Sequence, residues 1–223
     1  MMEENRHDDC QRTYWDGVAG KKECTLPLDL AGFSRLVETS ERILDFGCGY
    51  GRVANLLWMN GFKNVEGVDS SPGMIACGRK RYPHLALSAF DTLPLPRPAG
   101  HYAAAVLVAV LTSVPSDDDQ RRIVSELRRL LRPGGVLLVS DFLIQKDQRN
   151  VARYAMAKSK YPVYGVFELP DGAVLRHHDP HWIETLLADF KILSFKEIDA
   201  ITMNGHPAKA FHCLGTSQNV STP

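Results

Sequence analysis

The chain has 223 residues, with 26 basic and 26 acidic side chains and a formal net charge of zero. This balance argues against a nucleic-acid-binding protein, which usually carries a basic surplus. There is no apolar run of about 18 residues for a membrane span, and the polar N-terminus lacks the apolar core of a signal peptide. Five dispersed cysteines without a C-x-x-C pair favour free thiols and a cytoplasmic location.

Predicted strands and helices alternate from residue 41 to residue 143. An apolar strand, ERILDF, is followed by an amphipathic helix, and this pair repeats through NVEGVD and LALSAF. The run HYAAAVLVAVLTSV is apolar nearly throughout, which is typical of a strand buried on both faces of a parallel sheet. The pattern predicts an α/β fold with a doubly wound, Rossmann-like, mostly parallel sheet.

The chain changes character after residue 143. Residues 145–178 form a tyrosine-rich insertion, in which VYGVFEL and AVLRHH are joined by PDG and predict a β-hairpin. Long insertions in compact domains are often functional, so we expect a lid over the substrate. We predict a single domain over residues 1–215, with an N-terminal arm at 1–25 and a disordered tail at 216–223.

Three glycines follow the first predicted strand in ILDFGCGYG, at positions 47, 49 and 51. A glycine-rich turn between a strand and a helix lets the backbone approach a nucleotide at the helix N-terminus. The spacing is G-x-G-x-G rather than the dinucleotide fingerprint G-x-G-x-x-G. Asp69 ends the second predicted strand, where a carboxylate can hold both hydroxyls of a ribose.

Four ordered segments, ILDFGCGYG, VEGVDSS, SAFDTLPLP and LRRLLRPGGVLLVSDF, resemble successive motifs of class I S-adenosylmethionine-dependent methyltransferases. The resemblance implies a seven-stranded sheet whose last strand is antiparallel, with S-adenosylmethionine as cofactor and S-adenosylhomocysteine as product. It places the methionine part of the cofactor at the glycine loop and the ribose at Asp69. It also places the adenine near Ser70 and Met74, with Asp91 receiving its amino group. The implied cofactor contacts are Asp45, Gly47, Cys48, Gly49, Gly51, Asp69, Ser70, Met74, Phe90 and Asp91.

The expected reaction is methyl transfer to a nitrogen or oxygen of a small-molecule acceptor, driven mainly by proximity and in-line alignment. The candidate catalytic residues are His178, His206 and Tyr14, and the candidate substrate-binding residues are Tyr154, Tyr164, Phe167, Arg176 and His177. The cluster RHHDPHW also has metal-ligating residue types. Adjacent histidines on a strand face opposite sides, however, so no metal is predicted. The same histidines are also compatible with ordinary surface positions, with Asp179 capping the next helix.

Three other functions remain open at this point. The first is methyl transfer to an RNA or a protein acceptor, although the neutral net charge argues against it. The second is a nicotinamide-dependent oxidoreductase, which the glycine spacing opposes. The third is a catalytically silent cofactor-binding module. The sequence leaves the acceptor, the accepting atom and the oligomeric state undetermined.

Overall fold

The computed structural model describes residues 4–218, with side chains from residue 11 onward. Its centre is a seven-stranded sheet whose strands are β1 (Ile43–Phe46), β2 (Val65–Asp69), β3 (Ala86–Ala89), β4 (Tyr102–Val108), β5 (Leu131–Phe142), β8 (Phe190–Ile201) and β9 (Pro207–Ser217). The order across the sheet is β3-β2-β1-β4-β5-β9-β8. All pairs among β1 to β5 are parallel, and β9 runs antiparallel to both of its neighbours. The predicted fold class is confirmed.

Helices cover both faces of this sheet. The α-helices of the described residues are α1 (Glu4–Gly17), α2 (Leu30–Ser34), α3 (Arg52–Met59), α4 (Pro72–Arg81), α5 (Asp117–Leu130), α6 (Gln148–Ala157) and α7 (Pro180–Leu186). Successive residues of a strand point to opposite faces, so Ile43 packs with Leu57 of α3, whereas Leu44 packs in a second cluster with Leu127 of α5. Burial on both faces explains why the central strands are continuously apolar.

Helix capping fixes the segments that follow β2 and β4. Ser71 precedes α4, and its hydroxyl accepts a hydrogen bond from the Met74 N–H at 3.0 Å. Ser116 caps α5 in the same way, with the Asp119 N–H at 3.3 Å. These caps orient the helix N-termini toward the edge at which the parallel strands end.

The insertion contains the predicted hairpin, formed by β6 (Val166–Glu168) and β7 (Val174–Arg176) in antiparallel register. It also contains α6, which the sequence analysis did not predict as a helix. The side chain of Asp147 caps α6 by accepting from the Asn150 N–H at 3.2 Å. A small apolar cluster around Tyr154 joins the helix to the hairpin.

The predicted C-terminal tail begins too early. Thr216 pairs with Val136 and Ser217 pairs with Phe190, so both residues belong to β9. The prediction of disorder is therefore wrong for these two positions, because sheet pairing continues through them. Residues 219–223 lie outside the described residues. In the described part of the chain, we find no helix with both the length and the apolar character that crossing a membrane requires.

Candidate active site

A cavity of about 700 Å³ lies at the carboxyl ends of the parallel strands. Its floor includes Phe46 at the end of β1, Asp69 at the end of β2 and Phe142 at the end of β5. Residues from α1, from the insertion and from the turn between β8 and β9 complete the wall. Open α/β sheets bind ligands at this edge, so the cavity has the expected location of an active site.

The glycine loop forms one side of the cavity. Gly47 has a φ of +68°, and a Cβ there would lie 2.4 Å from Cγ2 of Val110. Gly49 has a φ of +54°, and a Cβ there would meet no other atom within 4 Å. The first position therefore needs glycine for close packing, and the second faces open space.

Gly51 differs from the other two glycines. It precedes the first residue of α3 with a φ of +87°, and it does not line the cavity. A Cβ there would lie 3.0 Å from Cδ1 of Leu87. The expectation that Gly51 contacts the cofactor is thus contradicted, because this residue starts a helix and packs against the sheet.

Asp69 is held by two backbone donors. Its Oδ2 accepts from the Gly49 N–H at 2.7 Å, and its Oδ1 accepts from the Ser71 N–H at 2.8 Å. Burial raises the pKa of this carboxyl group above its ordinary value. Each carboxylate oxygen retains a further acceptor position, so the side chain remains able to accept two hydroxyl donors from the cavity.

Asp45 lies beneath the loop and Cys48 lies within it, and both side chains are buried. Asp45 Oδ2 accepts from the Ala54 N–H at 2.9 Å, which fixes the first turn of α3. Burial raises the pKa of Asp45 to about 7. Burial also raises the pKa of the Cys48 thiol well above its usual value, which disfavours the thiolate form needed for a nucleophile.

The side of the cavity next to β3 carries the remaining predicted cofactor residues. Ser70, Met74, Phe90 and Asp91 all line it. The Phe90 ring packs against Phe46 with a centroid separation of 5.4 Å. The structure thus brings every predicted cofactor residue except Gly51 to one cavity.

The N-terminal arm crosses from this side to the insertion. Asp16 Oδ1 accepts hydrogen bonds from the Ser71 hydroxyl and from the Gly73 N–H, the latter at 2.8 Å. Tyr14 donates its hydroxyl hydrogen to Asp171 in the β6–β7 turn at 3.1 Å. Burial raises the pKa of Tyr14, so its hydroxyl stays protonated near neutral pH. Tyr14 lines the cavity, and its catalytic role stays a prediction.

Three of the residues predicted for the acceptor side also line the cavity: Phe167, His177 and His206. Phe167 lies on β6, and His177 follows β7. His206 belongs to the exposed turn between β8 and β9, where its N–H donates to the Thr202 hydroxyl at 3.2 Å. Their position agrees with the sequence analysis, and their roles stay predictions.

The structure contradicts catalysis by His178 and substrate binding by Arg176. His178 is fully buried, with Nδ1 3.2 Å from the Phe142 carbonyl oxygen and Nε2 2.9 Å from Gln120 Nε2. Burial lowers its pKa to about 3. Arg176 is also buried and pairs with Asp117 at 2.6 Å, which ties β7 to the start of α5. Neither side chain lines the cavity.

Tyr154 and Tyr164 likewise do not line the cavity. Tyr154 is buried behind His177, and its hydroxyl lies 2.6 Å from His177 Nδ1. Tyr164 is 57% exposed and packs edge-to-face on Tyr154. Direct substrate contact by these two tyrosines is therefore contradicted, and Tyr154 instead positions a residue that does reach the cavity.

Comparison with known proteins agrees with this geometry. Residues 44–139 match the family model described as a methyltransferase domain. The chain is 35% identical over 102 residues to malonyl-[acyl-carrier protein] O-methyltransferase of Serratia marcescens, covering 45% of this chain and 38% of that protein. It is 32% identical over 126 residues to EEF1A lysine methyltransferase 4 of Mus musculus, covering 48% and 49%. The chain thus spans between 38% and 49% of the length of these relatives.

The fold is also similar to the crystal structure of a methyltransferase from Methanosarcina mazei, which is described as dependent on S-adenosylmethionine. The TM-score is 0.78 at 23% identity, over 83% of this chain and 96% of that one. Residues 44–139 are a class I S-adenosylmethionine-dependent methyltransferase domain.

The cofactor of the methyltransferase domain is S-adenosylmethionine, and the residues present fit it. Asp69 offers two oriented carboxylate oxygens beside the glycine loop, and the open space at Gly49 allows close approach to the backbone. Phe90 and Met74 supply apolar surface next to them for a flat base. One cavity therefore offers hydrogen-bond acceptors for the ribose hydroxyls, an apolar surface for the base and close access to the backbone.

The sequence analysis missed two arginines of the insertion that line the acceptor side. Arg149 and Arg153 lie on α6, together with Asn150. The signal for them is the segment DQRNVARYAMA, in which Asp147 can cap a helix and the two arginines fall four residues apart. Of its larger apolar side chains, Tyr154 is buried whereas Val151 and Met156 are exposed, so hydrophobic periodicity did not reveal the helix.

Proposed function

We propose that the protein transfers a methyl group from S-adenosylmethionine to an oxygen or nitrogen of a small-molecule acceptor. The observation that carries the proposal is the continuity of the cavity, which is lined both by the cofactor residues and by the insertion. Its volume of about 700 Å³ falls within the range of about 300 to 1,000 Å³ that is typical of small-molecule sites. The arm and the insertion, residues 145–178, would act as the lid of a single domain.

The bound cofactor supplies a methyl group on a sulfonium, which is already a strong electrophile. The work of this chain is then to align an acceptor and to exclude water. Tyr14 and Phe167 line the cavity and serve this purpose.

A base is needed only for an acceptor that arrives protonated. Burial lowers the pKa of His177 to about 3, which makes this imidazole a weak base at neutral pH. His206 is exposed in the β8–β9 turn and lines the same cavity, so it is the stronger candidate for accepting a proton.

A protein acceptor is the second candidate, because one relative is by name a lysine methyltransferase. Asp16 accepts a hydrogen bond from α4, and Tyr14 donates one to Asp171. The N-terminal arm thus bridges the cavity, which favours the small acceptor. Four cysteines of the described residues are free thiols, and this favours a cytoplasmic location.

The activity is tested by incubating the purified protein with S-adenosylmethionine and either a panel of phenols, carboxylic acids and amines or a set of lysine peptides. Formation of S-adenosylhomocysteine and of methylated acceptor is followed by mass spectrometry. We expect acceptor-dependent turnover that Asp69→Asn abolishes and that Asp118→Asn, an exposed change outside the cavity, leaves intact. Turnover with lysine peptides and with none of the small acceptors would overturn the proposal in favour of the second candidate.

A further inference from the structure

The acceptor side of the cavity carries two arginines from one helix face. Arg149 and Arg153 lie four residues apart on α6, and side chains at this spacing are neighbours on the helix surface. Both are partly buried and line the cavity. Within residues 145–178, all of which the structure describes, no Asp or Glu lines the cavity. This part of the wall is therefore positively charged.

These two arginines have weaker carboxylate contacts than three other cations of the cavity wall. Arg149 approaches Asp147 only at 4.0 Å, and Arg153 donates to Asn150 Oδ1 at 3.4 Å. Among residues 11–218, no carboxylate lies within 4.0 Å of the Arg153 guanidinium. Those three form ion pairs, namely Arg12 with Asp91, Lys22 with Asp171 and Arg122 with Asp119. Arg52, the remaining cation of the described wall, donates instead to the Leu26 carbonyl oxygen.

Aromatic rings lie directly beside the arginine pair. The Arg153 guanidinium carbon is 5.5 Å from the centroid of the Phe167 ring. The Phe167 and His177 rings meet edge-to-face at 4.9 Å, and Phe142 lies 5.8 Å from His177. All three rings line the cavity. The wall thus combines a cationic group with apolar ring surfaces, which suits a planar anion.

His177 contributes a hydrogen-bonding group without adding charge. The Gln145 N–H donates to the Tyr154 hydroxyl at 3.1 Å, and this hydroxyl lies 2.6 Å from His177 Nδ1. Donation of the hydroxyl hydrogen to Nδ1 satisfies all three groups and leaves the ring proton on Nε2. Since burial keeps the imidazole neutral, the positive charge of the wall resides in the two arginines.

We propose that this wall binds the carboxylate of a planar aromatic acceptor. Arg153 and Arg149 donate to the carboxylate, and Phe167 and Phe142 hold the ring. A guanidinium presents two parallel N–H groups that match the two carboxylate oxygens, so arginine suits this task better than lysine. The inference rests on the proposed function, because it assigns the acceptor class of the same cavity.

The test compares 4-hydroxybenzoate with 4-hydroxybenzamide, which have the same ring and differ in charge. Calorimetry first measures the binding of S-adenosylhomocysteine, and both probes are then titrated into the protein saturated with it. Arg153→Gln and Arg149→Gln each remove one positive charge from the wall. Lys158→Gln is the matched control, because it removes a charge from an exposed position of the same insertion outside the cavity.

We expect 4-hydroxybenzoate to bind at least about tenfold more tightly than the amide, because its carboxylate forms a stronger, charge-assisted hydrogen bond. Arg153→Gln should reduce this preference to about twofold or less, Arg149→Gln should reduce it partly, and Lys158→Gln should preserve it. Equal binding of the two probes, no binding of either in the millimolar range, or an unchanged preference in Arg153→Gln would overturn the proposal. Absence of S-adenosylhomocysteine binding would instead overturn the proposed function itself.

Discussion

The hydroxyl of Tyr154 should be worth about 2 to 4 kcal/mol of stability, although it is one atom that never reaches the cavity. Tyr154→Phe keeps the buried ring and removes the oxygen that serves the Gln145 N–H at 3.1 Å and His177 Nδ1 at 2.6 Å. Two buried groups lose their partner, and each loss costs about 1 to 2 kcal/mol, in the lower half of the range for an unsatisfied buried polar group. For a chain of this length, the loss corresponds to a melting temperature lower by about 5 to 15 °C.

Guanidinium unfolding and a thermal melt measure this loss directly. Tyr164→Phe is the matched control, because Tyr164 is 57% exposed and its hydroxyl makes no hydrogen bond to residues 11–218. Its free energy of unfolding should stay within about 0.5 kcal/mol of the wild type. A Tyr154→Phe protein as stable as the Tyr164→Phe protein would refute the reasoning that this hydroxyl holds His177 in place.

Three further predictions concern the loops and the buried imidazole. Ser71→Ala removes the cap from the Met74 N–H and should lower the free energy of unfolding by about 1 kcal/mol, measured by urea denaturation. Gly47→Ala places a Cβ 2.4 Å from a Val110 methyl group at a positive φ and should cost about 1 to 3 kcal/mol; adding Val110→Ala should restore only the packing part of that loss. His178 takes up a proton at about pH 6.5 when unfolded but only near 3 when folded, so stability falls as the pH falls through this window, by up to about 1.4 kcal/mol per unit. His178→Gln should show a pH slope smaller by that amount, and an unchanged slope would mean that this imidazole is not buried in its neutral form.

Local signals in the sequence were sufficient for the cofactor side of the site. The glycine loop, the cap at Ser71 and the acid at Asp69 are contiguous with the strands that position them, so their spacing alone places them at one edge of the sheet. Gly51 is the exception, because the same conformational freedom that suits a cofactor loop also suits a helix start. Spacing does not distinguish these two uses of glycine.

The acceptor side depends on contacts between distant parts of the chain. Arg176 is withdrawn from the cavity by Asp117, which lies 59 residues earlier. His178 is held by Gln120, 58 residues earlier. Neither partner can be identified from the RHHDPHW cluster itself. Tertiary packing therefore gives these adjacent residues different roles. Of Arg176, His177 and His178, only His177 lines the cavity.

The account depends most directly on cofactor binding at the glycine loop. Calorimetric titration of S-adenosylhomocysteine into the wild type and Asp69→Asn tests it, with Asp141→Asn as control, because Asp141 is a buried carboxylate that also accepts from two backbone N–H groups but does not line the cavity. We predict binding by the wild type and the control, and an affinity at least about tenfold weaker in Asp69→Asn, equivalent to about 1.4 kcal/mol. No binding by folded wild-type protein, or equal affinity in Asp69→Asn, would contradict the account.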